Sequence, residues 1–402
     1  MALHVMKFGG TSLANAECVL RVAWIIAEAY AEGHDIVAVL SAQGHTTDEL
    51  IEKALEINPN PSKREMDVLM TTGEQISVAL MAMALQKIGL PSVSLTGWQI
   101  RMRTNSEYGG ARIKGICPER MRAELDRKRI VLVAGFQGVN KFDDITTLGR
   151  GGSDTTAVAL AATLNADICR IYTDVEGVYT ADPNKYDFAK KLKEISYDEM
   201  LELSSLGVEV LHMRSVEMAK RYGIVLEDLS SFVRKSGTEV KEVVKMEGSK
   251  ITGIASDSNI ARISVVGLSD ENGAAFKVFT QLAKAKVNVD IIVKSLTKDG
   301  LSDLSFTVGK TDVQAAVQSL EKSRDIIGFS EILVGENIAK VSVVGAGMMS
   351  TPGVAAQMFE ALHSEKIKLG MIATSEIKIS VFVDQADAKR AIAAIHAKFF
   401  GD

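Results

Sequence analysis

Three stretches of this 402-residue sequence are apolar at nearly every position rather than at every second one: DIVAVLSA (Asp35–Ala42), IVLVAGFQGV (Ile130–Val139) and ICRIYTDV (Ile168–Val175). Such runs suit strands covered on both faces. HVMKF, at the start, is a fourth candidate. Helical patterns lie between them. Val19, Val22, Ala23, Ile26, Ala29 and Tyr30 form one stripe that stops at Gly33, and DTTAVALAATLNA (Asp154–Ala166) forms another. This alternation predicts an α/β fold with a mostly parallel sheet sandwiched by helices. Ligands of such sheets bind outside the carboxyl ends of the strands. The glycines collect there: Gly9, Gly10, Gly44, Gly135, Gly138, Gly149, Gly151 and Gly152.

Four polar clusters share those strand ends. Lys7 precedes Gly9, Gly10, Thr11 and Ser12, with neither P-loop nor dinucleotide-site spacing. Backbone N–H groups, a helix start and one lysine there suit an anion; a tight turn beside a surface lysine explains the same residues. SAQGHTTDE (Ser41–Glu49) reads as a turn and helix cap. In TTGE (Thr71–Glu74), Glu74 suits either a helix start or an ammonium ligand. TLGRGGSDTTA (Thr147–Ala157) is richer. Arg150 is placed to clamp a carboxylate or phosphate, and Asp154 to orient a lysine or hold a metal, whereas Ser153 also reads as a helix cap. YTDVEGVYTADP (Tyr172–Pro183) then suits a nucleotide-binding loop, with a surface hairpin as the alternative. Together these clusters describe a nucleotide pocket without a P-loop, suited to phosphoryl transfer.

The C-terminal part repeats itself. ISVVGLSDENGAAFKVFTQLAKAKVNVDII (Ile263–Ile292) matches VSVVGAGMMSTPGVAAQMFEALHSEKIKLGMI (Val341–Ile372), each followed by another strand and helix. Two small α+β domains are expected. The predicted boundaries are residues 1–232 for the first domain, 233–258 for a linker, and 259–335 and 336–402 for the repeats.

Composition narrows the function classes. A net charge of −5 gives no general attraction to nucleic acid or anionic membrane. Cys18, Cys117 and Cys169 have neither disulfide nor metal spacing, and the six histidines are scattered without a ligand motif, so no protein-held metal is expected. No signal peptide and no apolar run of ~18 residues stands out, so a cytoplasmic protein is expected.

KFGGTS, LSAQGHTTDEL, TTGEQIS, TLGRGGSDTTAVALAA, TDVEGVYTADP, EISYDEMLELSSLG and ATSEIKISV together resemble the aspartate kinase family, over essentially the whole chain. The resemblance implies an amino-acid-kinase fold followed by two ACT-like βαββαβ domains. It implies phosphorylation of the L-aspartate side-chain carboxylate by ATP with Mg2+. It implies lysine or threonine as effector and a homodimer formed through ACT pairing. By the same resemblance Lys7 and Asp154 are catalytic, and Thr47, Glu74, Arg150 and Ser153 bind substrate. Lys7, Gly9, Gly10, Ser12, Ser41, Thr173, Asp174, Tyr179 and Asp182 line the nucleotide.

Several positions depart from the family pattern. Glu209 and Asn184 stand where a lysine and an arginine are usual, His45 replaces a common lysine, and Asp228–Leu229 replaces Val–Arg. In the repeats Asn272, Lys294, Ser295 and Ala373 are unusual, so effector sensitivity is expected to be altered or lost. A catalytically weak amino-acid-sensing subunit is the rival from another class, and a different kinase of the same fold is the nearer one. The missing positive charge predicts weak ATP affinity or low turnover. Initial rates over an ATP range reaching millimolar check this, and saturation at low micromolar ATP with normal turnover would contradict it.

Overall fold

The computed structural model describes residues 2–208, 210–242, 251–269, 273–296, 301–349 and 351–401. Glu209 and Asn272 therefore lie outside the described residues. The chain divides into two units, Met1–Met246 and Glu247–Asp402.

The first unit is built on an eight-stranded sheet. Its order is Glu194–Ser196, Thr238–Lys241, Leu226–Ser230, Ile168–Thr173, Leu3–Phe8, Asp35–Leu40, Ile130–Ala134 and Ser92–Leu95. Neighbours run parallel except Leu226–Ser230 with Thr238–Lys241. From Leu3–Phe8 the chain builds outward to one side, then returns to lay Ile168–Thr173 on the other. The carboxyl end of Leu3–Phe8 is thus the point where strand order reverses, the usual ligand position in such sheets.

Both faces are covered, as the continuous apolar runs require. One face sets Met6, Phe8, Ala38, Leu40 and Leu132 against Val22 and Ile26 of helix Ala16–Ala31 and Met81 and Leu85 of helix Thr72–Lys87. The other carries helix Gly152–Leu164, which packs on Leu3–Phe8 and on helix Met213–Tyr222.

The expectation about long apolar runs needs one correction. By length and composition the 25-residue helical stretch Lys63–Lys87 could span a membrane. In the fold it is two helices, Lys63–Met70 and Thr72–Lys87, meeting at Thr71, and the second buries Val78, Met81 and Leu85 in the core.

A second, small sheet orders Ile113–Gly115, Arg103–Thr104, Gln137–Val139 and Ile145–Thr147. It is tied to helix Lys63–Met70 by the fully buried Asp67. That carboxylate accepts bonds from Thr147 N (2.9 Å), Thr147 Oγ1 (2.7 Å) and Gly109 N (3.0 Å).

The second unit holds two antiparallel four-stranded sheets. The first orders Ile292–Leu296, Leu301–Gly309, Ile260–Ser269 and Glu331–Gly335, in a complete βαββαβ sequence with helices Ala274–Lys284 and Val313–Glu321. The second orders Gly253–Asp257, Ile338–Val344, Lys378–Asp384 and Ile372–Thr374. Its fourth strand comes from upstream of the first repeat. The stretch read as a linker therefore supplies a strand to each unit: Thr238–Lys241 to the first and Gly253–Asp257 to the second. Lys294 and Ser295 lie on the exposed edge strand of the first sheet, and Ala373 on the corresponding edge of the second.

Candidate active site

Lys7 is the penultimate residue of its strand, paired with Val39 on one side and Ile171 on the other. Its side chain is about nine-tenths buried, and Nζ lies 2.7 Å from Asp154 Oδ1 in the first turn of helix Gly152–Leu164. A buried ammonium needs such a partner. The chain after Lys7 turns sharply. A Cβ on Gly10 would lie 2.9 Å from the Ala42 carbonyl oxygen, so only glycine lets this turn rest against the Ser41–Gly44 loop, where Gly44 N donates to Gly10 O at 2.9 Å.

A cleft of about 350 Å³ opens at this strand end. Lys7, Gly10, Ser41, Thr47, Glu74, Arg150, Ser153 and Asp154 all line it, residues drawn from the four polar clusters of the sequence. Arg150 is exposed at the mouth and makes no ion pair among the described residues. The Arg-Gly-Gly turn is held from behind. Gly151 has φ +68°, and a Cβ there would overlap the His212 ring, which packs against it. His212 Nδ1 also accepts from Arg214 N at 3.4 Å, capping its own helix, while the Arg214 guanidinium donates to Leu148 O and Ala111 O. Gly135 is needed for contact of another kind: a Cβ there would come within 2.6 Å of Ser153 Oγ.

Glu74 faces the cleft with one oxygen satisfied. Oε1 accepts from Ala42 N at 3.1 Å, whereas Oε2 is buried without a partner. Burial pushes its pKa up to about 7, against the opposing pull of the backbone bonds at Glu74 and Ala42.

Other expected residues stand around the cleft rather than in it. Ser12 bonds Ser231 Oγ at 2.7 Å, and Ser231 Oγ donates to the Thr173 carbonyl oxygen at 3.3 Å, linking the turn after Lys7 to the ends of two other strands. Gly9 N donates to Tyr172 O at 3.2 Å. Thr173 ends its strand, Asp174 is exposed just after it, and Tyr179 is partly buried. The loop doubles back, with Leu192 N on Val178 O (2.8 Å) and Thr180 N on Lys190 O (2.9 Å), so it is also the hairpin that the sequence left open. Asp182 turns inward, accepting from Asn184 N at 3.0 Å and pairing with Lys185 at 3.0 Å.

The Asp228–Leu229 departure sits deeper than expected. Leu229 packs in the core with Phe8 and Tyr172. Asp228 pairs with Ile171 in the same row as Lys7, so both side chains project from one face of the sheet. Asp228 is fully buried, and neither carboxylate oxygen has a hydrogen-bond partner. Burial foremost, and then the charge of Asp154, raise its pKa well above the usual carboxylate range, only partly opposed by Lys7. The change places an acid two strands from the lysine on the same face of the sheet, rather than removing charge from an exposed surface.

Sequence reasoning missed Asp67, His212 as a prop for the Arg-Gly-Gly turn, and Phe136, which lines the cleft at φ +68°. The only sequence signal for Phe136 was its place between Gly135 and Gly138.

Two titrations follow. A carboxyl raised on folding loses stability as pH climbs from its unfolded pKa toward its folded one. Asp228→Val should therefore raise Tm relative to the parent chain by at least about 2 °C at pH 8, with the gain shrinking as pH falls to 4. Thermal melts across that range check it. For Glu74 the rise from 4.5 to about 7 corresponds to an ionisation cost on the order of 3 kcal/mol. Aspartate binding that draws its ammonium to ionised Glu74 should release protons near pH 6.5. Calorimetry in buffers of different ionisation enthalpy measures this release, and Glu74→Gln should abolish it.

Residues 2–226 match the model of the amino acid kinase family, and residues 263–323 and 341–399 match that of the ACT domain. The chain is 48% identical over 400 residues to an aspartokinase of Geobacillus stearothermophilus, covering 99% of this chain and 97% of that one. It is 47% identical over 405 residues to an aspartokinase of Mycolicibacterium smegmatis, covering 99% and 96%. Among solved structures, E. coli aspartokinase III in complex with aspartate and ADP superposes with a TM-score of 0.80 at 25% identity, covering 99% of this chain and all of that one. The same enzyme in complex with lysine and aspartate gives 0.79 at 26%. With a family match over more than half its length and near-complete overlap with these relatives, the chain belongs to the aspartokinases of the amino acid kinase family, ATP-dependent kinases of aspartate.

Proposed function

We propose that the cleft at the end of the Leu3–Phe8 strand is where the γ-phosphoryl of ATP passes to the side-chain carboxylate of L-aspartate, opening lysine, threonine and methionine biosynthesis. The observation that carries this assignment is the Lys7–Asp154 pair facing Glu74 and Arg150 across one small cleft. The acceptor carboxylate is ionised at neutral pH, so no general base is required. Its oxygen attacks the γ-phosphorus, the bridging bond to the β-phosphate breaks, and ADP leaves with the bonding electrons. The obstacle is bringing two anions together. Lys7 stabilises the phosphoryl group in flight, and Asp154 fixes the lysine. The N-terminal turn of helix Gly152–Leu164 borders the same cleft and adds its dipole. Glu74 holds the substrate ammonium with its unpartnered oxygen, Arg150 clamps the α-carboxylate, and Thr47 and Ser153 complete the contacts.

Gly9, Gly10, Ser12 and Ser41 shape the phosphate side. Thr173, Asp174, Tyr179 and Asp182 border the nucleotide, with Lys185 one residue beyond the missing arginine. Mg2+, when bound, neutralises charge on the β- and γ-phosphates.

The α+β repeats are read as the regulatory part, answering to lysine or threonine. The E. coli neighbour in complex with lysine supports this. Their edge strands leave Ile292 51% and Ile372 46% exposed, which supports pairing with a second copy into a homodimer. A cytoplasmic location completes the reading, with the kinase domain carried on through Thr238–Lys241 and the second repeat including Gly253–Asp257.

Hydroxylamine trapping of the acyl phosphate tests it. Lys7→Ala should lower kcat by at least about 10²-fold, while Arg150→Ala should chiefly raise the KM for aspartate. No acyl phosphate at any ATP concentration, with aspartate still bound, would leave an amino-acid sensor in place of an enzyme.

A further inference from the structure

The two repeats of the second unit match residue for residue, and equivalent residues meet where they touch. Equivalent residues make equivalent bonds. Asp290 N donates to Thr307 O (3.0 Å) and Gly370 N to Phe382 O (2.7 Å); Lys310 N donates to Asn259 O (3.2 Å) and Gln385 N to Asn337 O (3.1 Å). Lys310 and Gln385, themselves equivalent, touch each other, Nζ to Oε1 at 3.2 Å. Two equivalent junctions therefore flank this contact.

The junctions differ in their charged groups. At the first, Lys340 of strand Ile338–Val344 is 5% exposed and pairs with Asp290 Oδ2 at 2.6 Å. At the second, Arg262 takes the place of Lys340, and Gly370 takes the place of Asp290. No carboxylate meets the arginine there. A cavity of about 260 Å³ lies in that position instead, lined by Arg262, Asn337, Lys368, Gly370 and Asp384 among others. Neither Arg262 nor Lys368 makes an ion pair among the described residues. Asp384 Oδ1 accepts from Ala386 N at 3.0 Å and lines the cavity as its acidic group.

We propose that this cavity binds a small free carboxylate, whose –CO2− occupies the place that the Asp290 side chain fills at the sister junction. A guanidinium presents parallel donors that match a carboxylate in two-point contact, and Lys368 adds a second charge. Asp384 selects against a second anionic end and favours a neutral or cationic remainder. The volume suits a molecule of a few heavy atoms. The site gives the regulatory unit a ligand-dependent closure of one junction, where the other is closed permanently by its own side chains.

The test uses 4-aminobutyrate as probe and butylamine as the control lacking a carboxylate, titrated calorimetrically into the full chain at fixed ionic strength. Saturable binding of 4-aminobutyrate but not of butylamine is expected. Binding should weaken at least about 10-fold in Arg262→Gln, the loss of one charged hydrogen-bonded contact, and vanish in Gly370→Asp. It should persist in Arg150→Gln, whose change lies in the catalytic cleft. Gly370 does not have a left-handed backbone, and its added Cβ would stand 3.3 Å from Phe382 O, so aspartate fits with a small shift. That variant should also melt higher without any ligand, having regained the missing pair. If it does not fold, Arg262→Gln alone decides. No saturable binding, equal binding by native chain and Arg262→Gln, or loss only in Arg150→Gln would overturn the proposal.

Discussion

A lysine ammonium held almost out of water needs a fixed counter-charge, and most of the first unit arranges for it. Lys7 comes from the central strand and Asp154 from a helix that begins about 150 residues later. Their contact at 2.7 Å requires that helix to start at the strand end and nowhere else. The start is set by Gly151 in a left-handed conformation, braced by the His212 ring, and by Gly135 yielding room to Ser153. Thr147, a few residues earlier, is pinned by Asp67 through two bonds. The ion pair is thus the visible end of a chain of close contacts, each of which excludes a larger side chain or an unpaired polar group.

Much of this was legible in the residues. Apolar runs without alternation announced strands covered on both sides, and the glycines marked the ends where a ligand could approach. Lys7, Glu74, Arg150, Ser153 and Asp154 were singled out from the residues, Ser41 and Thr47 by the family resemblance alone, and the fold brings them to one cleft. Asp67 was not, because a lone aspartate in a short amphipathic helix carries no local sign that its carboxylate will cap a distant strand. His212 stood out as a packing residue, but nothing local showed that its ring would meet Gly151. The destination of Gly253–Asp257 was hidden for a related reason. Sheet partners are chosen by long-range pairing, and a five-residue strand between glycines reads as a linker until its partner is known.

Asp228 shows where sequence comparison and physics part. As a departure from a family pattern it read as lost positive charge near a nucleotide. In the fold it is a buried carboxyl group with no partner, two strands from Lys7 in the same row, where its family counterpart is a valine. The acid is tolerated in its neutral form. Two acids thus lie on the lysine's side of the sheet, one touching it and one two strands away. Asp154 meets the ammonium at 2.7 Å, whereas burial raises the pKa of Asp228 and favours its neutral form.

The upstream origin of Gly253–Asp257 makes the first repeat an insertion within the second. The second sheet cannot be completed until the whole first repeat has been synthesised, because strand Ile338–Val344 must find a partner laid down some eighty residues earlier. The first repeat contains all of its own strands and can close as soon as Glu331–Gly335 emerges. A nested order of assembly is thereby written into the connectivity, inner repeat before outer. The same nesting means that the polypeptide leaving the kinase unit enters the regulatory unit through the outer repeat, so any tension along that connection is felt first at Gly253–Asp257, on the strand whose partner carries Lys340.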